Sequence, residues 1–197
     1  LNQIENLINE FKNGKEFGAI IKLENFDKDF WKKKLTDIYN QKYTDDNMKI
    51  LENTKKNLFK IVKQALIMTE KYDVVVTNPP YMGYKNMNKN IIKFLKENYK
   101  YSKEDLCVAF VERGFEYLKP KGFNAMVTMQ SWMFLSSFKK FREKLLNNYT
   151  ICTLTHMANM VMGIAFGTSA TVWRKEKVAH YSGIFNYVEL KDVNYKE

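Results

Sequence analysis

One stretch of this chain pairs residue types that could do chemistry: Asp73-Val74-Val75-Val76-Thr77-Asn78-Pro79-Pro80-Tyr81. Asn78 offers a side-chain carbonyl, and Pro79, which has no N–H, keeps its backbone carbonyl. Two acceptors so close together suit an amino group with two hydrogens to give. Tyr81 adds a flat ring of the kind on which a base stacks. Acceptors beside a stacking ring make a clamp for an exocyclic amine on a planar heterocycle. Taken as a bare tetrapeptide, Asn-Pro-Pro-Tyr is also compatible with a plain turn over a buried tyrosine.

The elements around the tetrapeptide favour the clamp. Val74 to Val76 form a β-branched run, apolar on both faces, which reads as a buried strand of a parallel sheet. The two prolines cannot donate to a ladder and stop the strand at about Asn78. A residue before proline is held extended, so Asn78 stands at the carboxyl mouth of its strand. That edge is where open α/β sheets bind ligands.

Asp73 through Tyr81 resembles the catalytic motif of the S-adenosylmethionine-dependent amino-group methyltransferases, above all the N6-adenine DNA methyltransferases. Asn78, Pro79, Pro80 and Tyr81 match their four-residue signature without a departure. The resemblance implies S-adenosyl-L-methionine as methyl donor and DNA as partner. It also implies that Asn78 and the Pro79 carbonyl bind the N6 amine while Tyr81 stacks on the flipped adenine. Gln130-Ser131-Trp132-Met133-Phe134-Leu135-Ser136-Ser137 and Ala165-Phe166-Gly167-Thr168-Ser169-Ala170 are similar to stretches of the large methyltransferases of phage-exclusion (BREX, or Pgl) defence systems, whose other subunits are then possible partners. Related enzymes use the same tetrapeptide on RNA or on protein glutamine amides, and a non-catalytic DNA- or partner-binding piece is a further alternative.

The resemblance runs from about Lys71 to Lys175. It lacks the family's glycine-rich turn after a first strand and the acidic residue that holds the ribose, so Asn78 would reach only the edge of a cofactor pocket. The chain starts at Leu1 in what reads as a helix already under way, as in a piece of a longer protein. Residues 1–197 alone are expected to bind S-adenosylmethionine weakly or not at all and to lack activity.

Periodicity places the other elements. Ile4, Leu7, Ile8 and Phe11 lie at helical spacing, with Gly14 beyond them. Phe17 to Leu23 suits a short strand. Asp27 or Asp29 can cap a helix carrying Trp31 and Leu35, and a long helix spans about Asp45 to Glu70. Residues 1–70 read as a helical insertion or arm, and 71–197 as a methyltransferase catalytic half-domain carrying the Asn-Pro-Pro-Tyr loop. In the latter, Gly83 suggests close backbone approach or a positive φ. Asn86 or Asn88 opens a short helix. Ser102 with Asp105 resembles a capping box before a buried helix to Leu118. Lys119 to Gly122 is a turn, and Phe123 to Met129 a strand. A right-handed βαβ crossover brings Gln130 to Phe134 to the edge that holds Asn78. A helix follows from Ser137. Thr150 to Met157 and Ser169 to Lys175 form an antiparallel pair, and Ile184 to Leu190 an edge strand. The fold class is α/β: the C-terminal part of a Rossmann-like methyltransferase sheet, parallel strands plus a terminal antiparallel pair, preceded by a helical insertion.

Composition bounds the rest. A chain of 197 residues with 45% hydrophobic content can build a real core. The formal net charge of +10 suits a phosphate-bearing partner and equally suits an AT-rich genome. Lys119, Lys121, Lys139, Lys140 and Arg142 are candidates for contacting DNA phosphates, with a solvated surface as the alternative. Cys107 and Cys152 lack metal or redox spacing and read as reduced core thiols of a cytoplasmic protein. No metal site and no membrane span is expected.

Overall fold

A computed structural model describes residues 2–40 and 48–193. The expectations for Leu1 and for Asp45 to Asn47 fall outside them. Internal contacts divide the chain into two units, Leu1–Glu70 and Lys71–Glu197.

The first unit is helical: α1 (Asn2–Phe11), α2 (Gly14–Phe17), a 3-10 turn (Gly18–Ile20), α3 (Lys28–Asn40) and α4 (Met48–Thr69). Leu7, Trp31, Val62 and Ala65 form its core, with Phe11, Leu35 and Leu58 against them. Asp27 is the cap of α3, its Oδ1 accepting from the amides of Asp29 and Phe30 at 3.1 and 3.0 Å. The strand expected over Phe17 to Leu23 does not form. Phe17 ends α2, Gly18 to Ile20 form the 3-10 turn and Ile21 to Leu23 continue without regular structure, with Ile20 and Ile21 buried. A strand needs a ladder partner, and among the described residues this unit has none.

The second unit runs β1 (Tyr72–Thr77), a 3-10 turn (Tyr84–Asn86), α5 (Lys89–Asn98), α6 (Leu106–Tyr117), β2 (Leu118–Met129), α7 (Ser131–Phe134), a 3-10 turn (Ser136–Phe138), α8 (Lys139–Asn148), β3 (Thr150–Met157), β4 (Thr168–Arg174), β5 (Ile184–Val188) and α9 (Leu190–Val193). The sheet order is β1-β2-β4-β3-β5. β1 pairs parallel with β2, and β3 with β5, while β4 is antiparallel to both its neighbours. The fold is α/β, with parallel strands and an antiparallel pair, as the sequence predicts.

One sheet face is packed. Successive strand residues point to opposite sides, and Met126, Leu154 and Trp173 meet Cys107, Val108, Val111 and Phe115 of α6 and Phe141 and Leu145 of α8. Asn124 lies buried in this layer, its amide donating to the Val111 carbonyl at 3.0 Å. α6 comes so close here that a Cβ on Gly114 would sit 2.6 Å from Asn124 Oδ1. The opposite face is open. Val74 and Val76 are 53% and 72% exposed, which corrects the expectation of a strand buried on both sides: only Val75 packs into the core.

Local signals also resolve differently. Asn88 caps α5, its Oδ1 accepting from the amides of Asn90 and Ile91 at 3.0 Å each. The Ser102–Asp105 capping box is absent. Asp105 caps α6 itself, accepting from the Cys107 amide at 3.0 Å, while the Ser102 hydroxyl donates to the Glu112 carboxylate at 2.6 Å. Lys119 to Gly122 is a bulge within β2 rather than a turn before it. Tyr72 faces Leu118 and Val74 faces Phe123 across that bulge, and Lys121 takes φ 65°. A Cβ on Gly122 would lie 2.7 Å from the Asp73 carbonyl, so β1 crosses the bulge at close range.

Candidate active site at the carboxyl edge

β1 and β2 run parallel with Thr77 opposite Met126. Asn78 and Gln130 therefore leave the sheet at the same edge. β3 and β5 end there too, and β4 starts there. Asn78 is exposed, Pro79 buried, Pro80 exposed and Tyr81 half-buried. Among the described residues, neither the Asn78 side chain nor the Pro79 carbonyl is engaged in a hydrogen bond. Both acceptors are therefore unpaired, and the exposed Asn78 side chain is open to a ligand.

The loop is held from behind. The Leu106 amide donates to the Met82 carbonyl at 2.9 Å, the Tyr84 amide to the Glu104 carbonyl at 2.9 Å, and Gly83 pairs with Asp105 as an isolated bridge. Tyr81 packs against the main core, its hydroxyl buried with no hydrogen-bond partner among the described residues. Burial, and then the nearby Cys107, push its phenol pKa up, and burial does the same to the Cys107 thiol. The ring is thus held by packing, with its polar end buried but unbonded. Cys107 is buried and Cys152 half-buried, and both are free thiols.

Gly83 does not have the role expected of it. Its φ is −69°, and an added Cβ would find only Asp105 Oδ2, at 3.8 Å. Gly83→Ala is therefore expected to raise stability by about 0.4–1 kcal/mol, through the unfolded chain's lost freedom. Urea denaturation checks it, and a loss beyond 1 kcal/mol would contradict this geometry.

Residues 2–161 match the Eco57I restriction-modification methylase family. The chain belongs to that family. It is 36% identical over 179 residues to the adenine-specific methyltransferase BrxX of Escherichia coli O9:H4 (strain HS), covering 89% of this chain and 15% of the relative. It is 31% identical over 188 residues to the adenine-specific methyltransferase PglX of Lacticaseibacillus casei (strain Zhang), covering 92% of this chain and 16% of that one. The chain thus spans about 15% of the length of these curated relatives. Among solved structures, the DrdV–DNA complex aligns over 68% of this chain and 16% of its own, at TM-score 0.49 and 17% identity. The type IIL restriction-modification enzyme MmeI, in complex with DNA, aligns over 62% and 17% at TM-score 0.48 and 16% identity.

An Eco57I-type methylase implies a methyl donor, and the residues described here account for little of its pocket. None of the five strands ends in a glycine-rich turn: β1 runs into Asn-Pro-Pro-Tyr, β2 into Gln-Ser-Trp and β3 into Ala-Asn-Met. Gly18 and Gly163 take positive φ, but Gly18 follows a helix and Gly163 sits mid-loop. A groove of about 370 Å³ on the open sheet face reaches Asn78, but Val76, Ala125, Val127 and Val172 make it largely apolar. This is a poor fit to the adenosine and methionine of the donor. Larger cavities lie within the first unit and contain none of Asn78 to Tyr81.

Two of the basic candidates lie far from Asn78 along the sheet, while Lys139, Lys140 and Arg142 begin α8, which follows α7 from the edge that holds Asn78. Lys119 and Lys121 lie in the bulge at the opposite end of β2, with Lys119 Nζ 2.9 Å from Asp73 and Lys121 Nζ 3.9 Å from Glu176. Lys139 lies 4.0 Å from Glu143, and Lys140 is exposed on α8. The Arg142 guanidinium donates to the carbonyls of Trp132 and Leu135, at 2.8 and 2.7 Å, and so closes off α7.

Gln130 and His156 were not among the sequence candidates. Gln130 Oε1 lies 2.6 Å from His156 Nε2, and the Gln130 backbone N–H donates to the Gly167 carbonyl at 3.1 Å. The His156 ring lies between Phe134 and Tyr187, with centroids at 5.5 and 4.9 Å. Burial lowers the imidazole pKa. No spacing signal joins two residues 26 positions apart; they meet because β2 and β3 end at the same edge and Gly167, entering β4 between them, has no side chain to block the Gln130 side chain. Among the described residues no His, Cys, Asp and Glu cluster could hold a metal, and no helix is long and apolar enough to cross a membrane.

Proposed function

We propose that this chain carries the methyl-acceptor side of an adenine-specific DNA methyltransferase, one that serves a restriction or phage-exclusion system in the cytoplasm. The observation that carries this reading is the pair of unengaged acceptors, Asn78 Oδ1 and the Pro79 carbonyl, at the carboxyl edge beside an anchored aromatic ring. An adenine inside a duplex cannot reach such a clamp, so it must be flipped out. Its N6 amine would give one hydrogen to each acceptor. That draws the nitrogen lone pair out of conjugation with the ring and makes the amine a better nucleophile. Positioning and charge matching supply the gain without a dedicated base. S-adenosylmethionine supplies the methyl group, and its pocket lies mainly in residues other than those described here. The names of BrxX and PglX, both adenine-specific methyltransferases, support the choice of base.

The test is methyl incorporation by the full-length protein from labelled S-adenosylmethionine. N6-methyladenine in digested DNA is the expected product. Label in RNA or in protein glutamine would move the substrate to another planar amine or amide. No label in any of them would leave a DNA- or partner-binding role. Tyr81 variants refine the reading. Tyr81→Phe removes a hydroxyl that has no partner and should keep most activity. Tyr81→Leu keeps apolar bulk without a ring, and should lose about 5- to 160-fold in kcat/KM, the value of about 1–3 kcal/mol of stacking. Equal kinetics in the two variants would exclude stacking.

A further inference from the structure

The edge that presents Asn78 also carries a long connection, Ala158 to Gly167, between β3 and β4. Its Met160, Met162 and Phe166 are all exposed. Three large apolar side chains in water on a loop beside a ligand-binding edge need their backbone held from elsewhere. The Gln130–His156 pair sits where it can hold both ends. Gln130 lies just past β2, and His156 is the penultimate residue of β3. A carbonyl oxygen can only accept, so in their 2.6 Å contact the imidazole Nε2 carries the proton. The same Gln130 receives the far end of the connection, its backbone N–H donating to the Gly167 carbonyl at 3.1 Å. Position 167 has no room for a side chain: a Cβ there would stand 2.4 Å from Gln130 Oε1 and 2.9 Å from the Met157 carbonyl. Phe134 and Tyr187 flank the His156 ring, with centroids at 5.5 and 4.9 Å. Gln130 thus joins three segments: its backbone, at the exit of β2, holds the entry to β4, while its side chain lies across Gly167 and bonds His156 at the exit of β3, and the imidazole rests on β5.

We propose that Gln130 and His156 are positioning residues that set the Ala158–Gly167 connection against the Asn-Pro-Pro-Tyr loop, and so fix the wall of the acceptor site. The role rests on the adenine-methyltransfer reading. The anchoring itself can be measured without it. Neither side chain is assigned to the reacting atoms. Gln130 contacts Gly167 and His156, and acts through them.

The experiment uses the full-length protein with Gln130→Met, which keeps length and loses the acceptor, His156→Ala, the double variant, and His156→Gln, which keeps an N–H near the original Nε2. Hydrogen exchange is followed at the amides of Met160 and Gly163, which bond within the connection to the carbonyls of Ile164 and Met160. In Gln130→Met and His156→Ala, exchange at these amides should rise about tenfold, as for one lost hydrogen bond, with the amides of β2 and β4 unchanged. The double variant should be no worse than either single one, and His156→Gln should restore protection. Unchanged exchange, or a rise spread equally over the sheet, overturns the anchoring. Where the wild type methylates DNA, the two variants should lose on the order of 10²-fold in kcat with an unaltered KM for S-adenosylmethionine. Full kcat beside a loosened connection overturns the positioning role. A wild type that methylates no adenine fails the functional reading alone, because the exchange result still decides the anchoring.

Discussion

Replacing Asn78 with Ala is expected to lower methyl transfer by the full-length protein by on the order of a hundredfold or more, while cofactor binding and stability stay near wild type. The scale is that of removing one preorganised polar group from a reacting centre. Two features make the loss specific. Asn78 is exposed, and its side chain makes no hydrogen bond among the described residues, so the fold does not depend on it. The Pro79 carbonyl remains after the substitution, so one acceptor would still bind the amine while the second hydrogen went unmatched. Turnover with tritiated S-adenosylmethionine, beside a calorimetric titration of the donor, separates the two quantities. Near-wild-type turnover would remove Asn78 from the acceptor site. Equal losses in turnover and donor affinity would move it to the donor side.

The largest stability effect is expected at Trp132. It is 4% exposed, its ring lies edge-on to Phe141 and tilted against Trp173, and its Nε1 donates to Thr128 Oγ1 and Ser169 Oγ at 3.0 and 3.1 Å. Trp132→Ala should cost about 3–5 kcal/mol, from lost burial and an unfilled cavity. Trp132→Phe should cost less. The two hydroxyls lie 3.1 Å apart and keep each other satisfied, so only volume and one donor disappear. Chemical denaturation checks the order. A Phe variant as unstable as the Ala variant would show that the indole N–H, rather than packing, dominates.

Trp132 and Asn78 also mark the limit of what a linear reading can reach. The Asn78 loop was legible because its determinants are local: two prolines end a strand wherever they fall, and the residue before them must be extended. Helix ends were legible for the same reason at Asn88 and Asp27, each one of two residues the sequence offered. The failures all depend on a distant partner. Val74 and Val76 are as apolar as Val75, and only the stacking of α6 and α8 on one side decides which of them is covered. Ser102 could have capped α6, but Glu112 lies within reach once the helix forms and takes its hydroxyl, and Lys144 pairs with the same carboxylate at 2.9 Å. The Lys119–Gly122 bulge needed a neighbouring strand to reveal it. Gln130 and His156 have no common signal, because the strand between them in space follows both in sequence.

That strand order also sets how the sheet can assemble. Met157 and Thr168 pair across β3 and β4 only eleven positions apart, whereas the Thr128–Ser169 contact across β2 and β4 spans 41. Closing the longer loop costs more chain entropy before any contact repays it. The β3–β4 hairpin should therefore form early and wait as a preformed edge, with β2 docking onto it as the slow step. Substitutions in β3 and β4 should then slow refolding, whereas those confined to β1, which pairs only with β2, should act mainly on the unfolding rate.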